Sequence, residues 1–200
     1  MKRFHGERRS MTTRYNLTSA TSKRPHRLAV LMLLCGWLAG CLGVPDDVTV
    51  VETFEINRYL GTWYEIARLD HRFERGLSHV TANYSLREDG GVTVINRGFN
   101  TDKQQWSEAT GKAFMVADHN IGRLKVSFFG PFYGAYNIVA LDAQHDTYSM
   151  VVGPNRNYLW ILSRTPQLPK PQLDALITRA EALGFNTQEL IFPVQTDPPQ

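Results

Sequence analysis

Two thiols, four histidines outside the first forty residues and one glutamate close to a tryptophan are the groups with which this 200-residue chain could do chemistry. The thiols, Cys35 and Cys41, stand at the end of an apolar run, and no cysteine follows them. A disulfide framework and a cysteine-based metal site are therefore excluded beyond residue 41. His71, His79, His119 and His145 are scattered in or beside polar segments without metal-ligand spacing, and are read as surface histidines. There is no Gly-x-Ser-x-Gly elbow, and the glycine-rich turns are hairpins rather than phosphate loops. No nucleophile–base pair stands out, so no catalytic residue, metal or cofactor is assigned and the chain is read as a non-enzyme. Glu65 shares the strand parity of Trp63. It is expected to be a buried carboxylate that orients a polar headgroup or pairs with an arginine or tyrosine.

The chemistry at Cys41 is that of an anchor. Residues 23–27 are rich in positive charge, and residues 28–40 form a 13-residue apolar run. That length suits a signal-peptide core and falls short of the roughly 20 residues of a membrane span. Leu38-Ala39-Gly40-Cys41 resembles the lipobox of bacterial lipoproteins, whereas Cys35 follows Leu34, too large for the small position before the cysteine. The alternative is an ordinary signal peptide or a short buried helix. The resemblance implies cleavage before Cys41, a diacylglycerol thioether on its sulfur and an acyl group on its new amine. Leu42, where aspartate would signal inner-membrane retention, favours the outer membrane, on its periplasmic side. Residues 1–40 are thus assigned to a leader, with Met1 and Met11 both open as the start, and residues 41–53 to a linker.

The basic balance belongs to that leader. Residues 1–40 hold eight Lys/Arg and one acid, leaving fourteen basic and eighteen acidic residues beyond, a net of −4. Without a basic stripe the body is not expected to bind nucleic acid.

The positioning elements read as strands. Segments beginning at Thr62 and covering 79–87, 92–97, 105–117, 123–129, 135–141, 147–152 and 158–163 are separated by short turns, with no helical pattern between them. Eight antiparallel strands joined in this way can close into an up-and-down barrel, which removes exposed edges and leaves an interior able to hold one small ligand. Residues 172–184 follow as a helix, with Leu173, Leu176, Ile177, Ala180 and Leu183 at helical spacing, expected to pack outside the barrel. Residues 190–194 are read as a short edge strand, and 196–200 as a loose tail. In such a barrel the start of the first strand and the end of the last lie together, so Trp63 and Arg164 are expected to cap one end as a cation–π pair. The loops at 70–78, 98–104, 129–134 and 153–157 then form the opposite, open end.

Gly61-Thr62-Trp63 after a short turn resembles the Gly-x-Trp signature of lipocalins, and Arg164 matches the family's arginine packed on that tryptophan. Asp142 alone is shared with the family's Thr-Asp-Tyr. With the lipobox, residues 158–166 are similar to bacterial outer-membrane members, and the resemblance spans residues 54–195. It implies an all-β, eight-stranded antiparallel lipocalin barrel with a C-terminal helix outside, and a binding or transport role in membrane maintenance. The calyx cysteine of prostaglandin-synthase members is absent, as are the disulfides of many animal members.

Candidate ligand-lining residues are Trp160, which shares parity with Tyr158 and Leu162, and Tyr136, Phe114, Phe128, Met150, Ala67 and Glu65. Phe73, Phe132 and Tyr133 sit on open-end loops, where they could guide a lipid, touch the membrane or contact a protein. The expected ligand is a fatty acid or lysophospholipid. The alternatives are another apolar cargo, such as haem or a pigment, or a structural lipoprotein with a filled barrel. A homodimer is left open.

Overall fold

Turns as short as those of this chain leave no room for a crossover, so each strand must fold back antiparallel on the one before. The computed structural model describes residues 42–116 and 118–197. The leader, Cys41 and residues 198–200 lie outside the described residues. A single turn of helix, α1 (Ile56–Tyr59), leads into β1 (Gly61–Arg68), β2 (Leu77–Leu86), β3 (Val92–Asn100), β4 (Gln105–Met115), β5 (Arg123–Phe129), β6 (Phe132–Leu141), β7 (Tyr148–Val152) and β8 (Leu159–Ser163). The eight strands pair in chain order, and β8 returns to β1, closing the barrel. β3 and β6 each extend into segments expected as loop. Phe132 pairs with Phe129, leaving Gly130 and Pro131 as the turn.

The helix α2 (Lys170–Ala182) starts two residues earlier than the periodicity suggests, with Pro169 at its N-cap. Its Leu176 and Ala180 are buried in an outer cluster with Ile66, Leu69, Val139, Met150, Val152, Leu159 and Ile161. A second, inner cluster joins Phe54, Tyr59, Trp63, Tyr84, Val94, Leu124, Ile138, Val151 and Leu162. Several strands are thus apolar on both faces, and simple alternation is hidden.

That concealment explains three corrections. β1 carries a bulge between Glu65 and Ala67, so Ile66 and Ala67 both face outward into the helix-covered cluster. Ala67 is therefore not on the lining. Met150 pairs with Ile161 and packs under α2, while its neighbour Val151 points inward. Phe114 lies between the inward-facing Ala113 and Met115 and faces out. Its ring sits over Gly91, where a Cβ would come within 2.6 Å of it, and 6.5 Å from the Tyr133 ring.

The closed end is built around Trp63. Gly61 enters the strand at φ +88°, a conformation that suits glycine. The Trp63 indole N–H donates to the Tyr59 carbonyl at 2.8 Å, and the Arg164 guanidinium carbon lies 3.9 Å from the Trp63 ring centroid. Arg164 also donates to the carbonyls of Leu60, Thr62 and Arg58 at 2.8, 3.1 and 2.7 Å. These bonds seal the entry to the first strand against the exit of the last.

Both flanking segments are docked rather than loose. Val51 exchanges backbone hydrogen bonds with Gly122 and Ile138, and Val48 and Val50 pack on the outer cluster. At the far end, the residue 190–194 segment makes a single bridge, Ile191 to Arg68. The tail is tied at its first residue, because the Thr196 carbonyl accepts from His79 Nε2 at 2.8 Å.

Candidate ligand-binding site

A bulge in a strand re-aims the side chain that follows it. Here it turns Arg68 inward to stand beside Glu65 in the barrel's upper interior. Arg68 donates to Glu65 Oε1 at 2.6 Å and to the Glu74 carbonyl at 2.8 Å, and its Nε lies 3.9 Å from Glu74 Oε2. Trp160 donates its indole N–H to that same Oε2 at 3.1 Å. Arg68 is 2% exposed and Glu65 3%, so one cation and two carboxyls share a desolvated space. Burial, and the Glu74 carboxyl beside it, push Glu65 up to about 8 despite Arg68. Burial also raises Glu74, against the Trp160 hydrogen bond and Arg68. Two carboxyls facing one guanidinium hold a proton between them near neutrality, which balances the buried charge. Arg68 Nε is buried without a hydrogen-bond partner.

His71 completes the mouth. Its ring is stacked between Phe73 and Tyr158, with centroids 5.3 and 5.1 Å away, and tilts against Trp160 at 4.5 Å. Burial first, then the Arg68 charge, lower its pKa to about 4, so it is neutral at ordinary pH. The reading of His71 as a surface histidine is corrected: it is 3% exposed, and its Nε2 has no partner. His79 is likewise buried. Its Nε2 donates to the Thr196 carbonyl at 2.8 Å, and its Nδ1 shares a 2.9 Å hydrogen bond with Ser78 Oγ. This serine–histidine contact is spent in holding the tail on β2.

Lower in the barrel, Tyr136 shares hydrogen bonds with the hydroxyls of Tyr59 at 2.8 Å and Tyr84 at 2.9 Å, and Tyr59 reaches Ser149 Oγ at 3.1 Å. Burial pushes Tyr59 up to about 12 and Tyr84 and Tyr136 upward as well. Tyr136 nevertheless keeps accessible surface. Phe128, Met115, Val126 and Trp160 also pack on the inner cluster and keep accessible surface.

Of the expected lining, then, Trp160, Tyr136, Phe128 and Glu65 face the interior, while Ala67, Met150 and Phe114 do not. Arg68, His71 and Glu74 were not foreseen. Arg68 belonged to the opposite parity until the bulge, and nothing in the loop pattern marked His71 or Glu74 as folded inward. Among the described residues no group of three His, Cys, Asp or Glu is placed to hold a metal ion.

Comparison with known proteins accords with this geometry. Residues 54–195 match the model of the lipocalin-like domain. The chain is 52% identical over 168 residues to the outer membrane lipoprotein Blc of Vibrio cholerae, covering 84% of this chain and 98% of that protein. To the same-named protein of Escherichia coli it is 52% identical over 151 residues, covering 76% and 85%. Rat apolipoprotein D is 32% identical, with 71% and 82% covered. Among solved structures, insecticyanin from the tobacco hornworm Manduca sexta superposes with a TM-score of 0.60 at 18% identity, covering 79% of this chain and 88% of that one. The cockroach allergen Per a 4 gives 0.60 at 19%, covering 76% and 95%. These two likenesses speak to the fold alone.

Proposed function

The chain belongs to the lipocalin family, and with that as premise we propose that it carries single-chain lipids, fatty acids or lysophospholipids, in its barrel. Its identity of about half to outer membrane lipoproteins over most of their length makes it a lipid-anchored protein of the outer membrane. Cys41 is the residue we assign to the anchor. Several acyl chains on one cysteine hold a protein stably where a single chain binds only marginally.

The observation that carries the cargo reading is the inner wall. Phe128, Met115, Val126 and the ring of Tyr136 pack on the inner cluster and keep part of their surface accessible. Such a wall solvates an acyl chain, since removing apolar surface from water is favourable by about 25 cal/mol per Å². The Glu65–Arg68–Glu74 cluster and Trp160 supply polar groups at the mouth end, where a headgroup would rest. Binding rather than catalysis fits these groups. Arg68 and both carboxyls are engaged with one another, and His71 is held neutral in a ring stack with no hydroxyl or thiol partner among the described residues.

Native mass spectrometry of protein purified from membranes tests this reading. Adducts with the masses of fatty acids or lysophospholipids are expected. A barrel free of lipid, or one carrying a visible chromophore, contradicts it.

A further inference from the structure

The seam between β1 and β2 is zipped only in its lower half. Gly61 to Tyr64 pair with Tyr84 to Thr81, and the ladder stops there. Above that point both strands are bulged against their other neighbours, β1 between Glu65 and Ala67 and β2 between Ser78 and Thr81. His79, inside the second bulge, takes a left-handed φ of +50°, which histidine adopts more readily than most residues. The two strands therefore part toward the mouth, and the end of the chain fills the split. Ile191 exchanges both backbone hydrogen bonds with Arg68, at 2.8 and 3.0 Å, and the Val194 carbonyl accepts from the His79 amide at 2.7 Å. The Thr196 carbonyl accepts from His79 Nε2 at 2.8 Å. Gln195 Nε2 donates to two carbonyls, one on each strand, Glu65 at 2.7 Å and Val80 at 2.9 Å. Residues 191–196 thus lie antiparallel to β1 as an inserted strap, and Gln195 latches it where the strands part.

The strap is held by these hydrogen bonds and by little apolar contact. None of residues 191–196 is buried, and Phe192 and Val194 are 53% and 56% exposed. Pro193 has no N–H to add to the ladder. A segment with few buried apolar contacts opens locally without unfolding the rest. Leu190, after a turn of 3₁₀ helix at Thr187–Glu189, packs on the outer cluster, so the strap can swing from a fixed point. What it covers is the polar cluster. One edge of the split is the backbone of Glu65 and Arg68, whose side chains pair at 2.6 Å beside Glu74. Where the strap lies between them, β1 and β2 stand two strand spacings apart, about 9–10 Å. Vacating that place leaves a slot wide enough for an acyl chain, which is slimmer than a peptide strand with its side chains.

We propose that residues 191–196 are the gate of a lateral portal between β1 and β2, and that single-chain lipid passes through the barrel wall beside Glu65 and Arg68 when Gln195 releases its two carbonyls. This rests on the lipid-carrier reading. It adds a route through the wall and a residue that controls the rate along it.

Two arms test it on the full chain. Hydrogen exchange followed by NMR needs no ligand. The amides of Arg68, His79 and Ile191, each bonded across the strap, should exchange together and well before those of the β3–β4 ladder. Protection equal to that ladder's overturns the gate. The second arm is stopped-flow tryptophan fluorescence with monomeric lysophosphatidylethanolamine. Gln195→Ala should speed association and dissociation alike, about tenfold, as expected for the loss of one or two net hydrogen bonds that hold the closed state. Because both rates scale with the open population, Kd should stay unchanged. Gln195→Glu at pH 8, a carboxylate that cannot donate, should act in the same way. A role in stability alone would raise dissociation only and weaken Kd. That outcome contradicts the portal, as do wild-type rates in both variants. A wild type that binds no lipid overturns the carrier reading and the portal with it, while hydrogen exchange still reports on the strap.

Discussion

The indole N–H of Trp160 donates to Glu74 Oε2 at 3.1 Å, tying the β1–β2 loop to the last strand across the mouth of the barrel. Through Glu74 the bond also reaches Arg68, whose Nη2 donates to the Glu74 carbonyl. A loop joining two strands is thereby held as a partial cover over the interior.

Replacing Glu74 by alanine removes a carboxylate facing a buried guanidinium. Arg68 keeps Glu65 and the Glu74 backbone carbonyl, so the cost is that of an unsatisfied buried Trp160 indole N–H, about 1–3 kcal/mol. The expected outcome is a loss of that order in urea unfolding, with Glu74→Gln losing less because its amide oxygen still accepts from Trp160. Equal stability of the alanine variant and the wild type contradicts the cluster's role.

Stability should depend on pH in two opposed windows. The Glu65 pKa rises from 4.5 to about 8 on folding, so the folded state favours its protonated form. Its contribution is intact below about pH 4.5 and is lost as pH rises through 8. The His71 pKa falls from 6.5 to about 4, so its contribution is present above pH 6.5 and is lost as pH falls through 4. Glu65→Gln should flatten the decline in denaturation midpoint between about pH 4.5 and 8 and leave the His71 contribution in place. An unchanged slope over that window sinks the assignment.

Arg164→Met gives up the contact with Trp63 and three carbonyl hydrogen bonds. A loss of about 3 kcal/mol is expected by thermal or urea unfolding. Arg164→Lys should recover less than half, because an ammonium cannot reproduce the planar fork that spans Arg58, Leu60 and Thr62. Full rescue by lysine means that charge alone matters there.

Tyr136→Phe leaves the Tyr84 hydroxyl without its partner, while Tyr59 keeps Ser149. Stability should fall by about 1–3 kcal/mol. Fatty-acid affinity should change little, because the ring stays on the wall. A large loss of affinity with full stability reverses the two roles.

The barrel was legible in the sequence because turns punctuate it: Glu88 to Gly91 and Asp118 to Gly122 fall at the connections where strands reverse. The closed end was legible too, since Trp63 and Arg164 open the first strand and follow the last. What failed was facing. Ile66 and Ala67 both point outward across the β1 bulge, and an extra residue in a ladder leaves no compositional trace. Met150 stands on a strand buried on both faces, so no polar alternation marks its side. Only its pairing with Ile161, and that of Val151 with Trp160, settles it. His71 was misread for a different reason. Its burial depends on Phe73, Tyr158 and Trp160 closing around it, and those residues meet only in three dimensions.

The most direct measurement is the fluorescence of delipidated protein titrated with lysophosphatidylethanolamine and, separately, palmitate. Trp160 keeps accessible surface on the interior while Trp63 is fully buried. A saturable change in emission is expected with both lipids in the wild type, and its loss in Trp160→Phe with lipid binding retained by native mass spectrometry. No change in the wild type, or the same change in Trp160→Phe, contradicts binding inside the barrel.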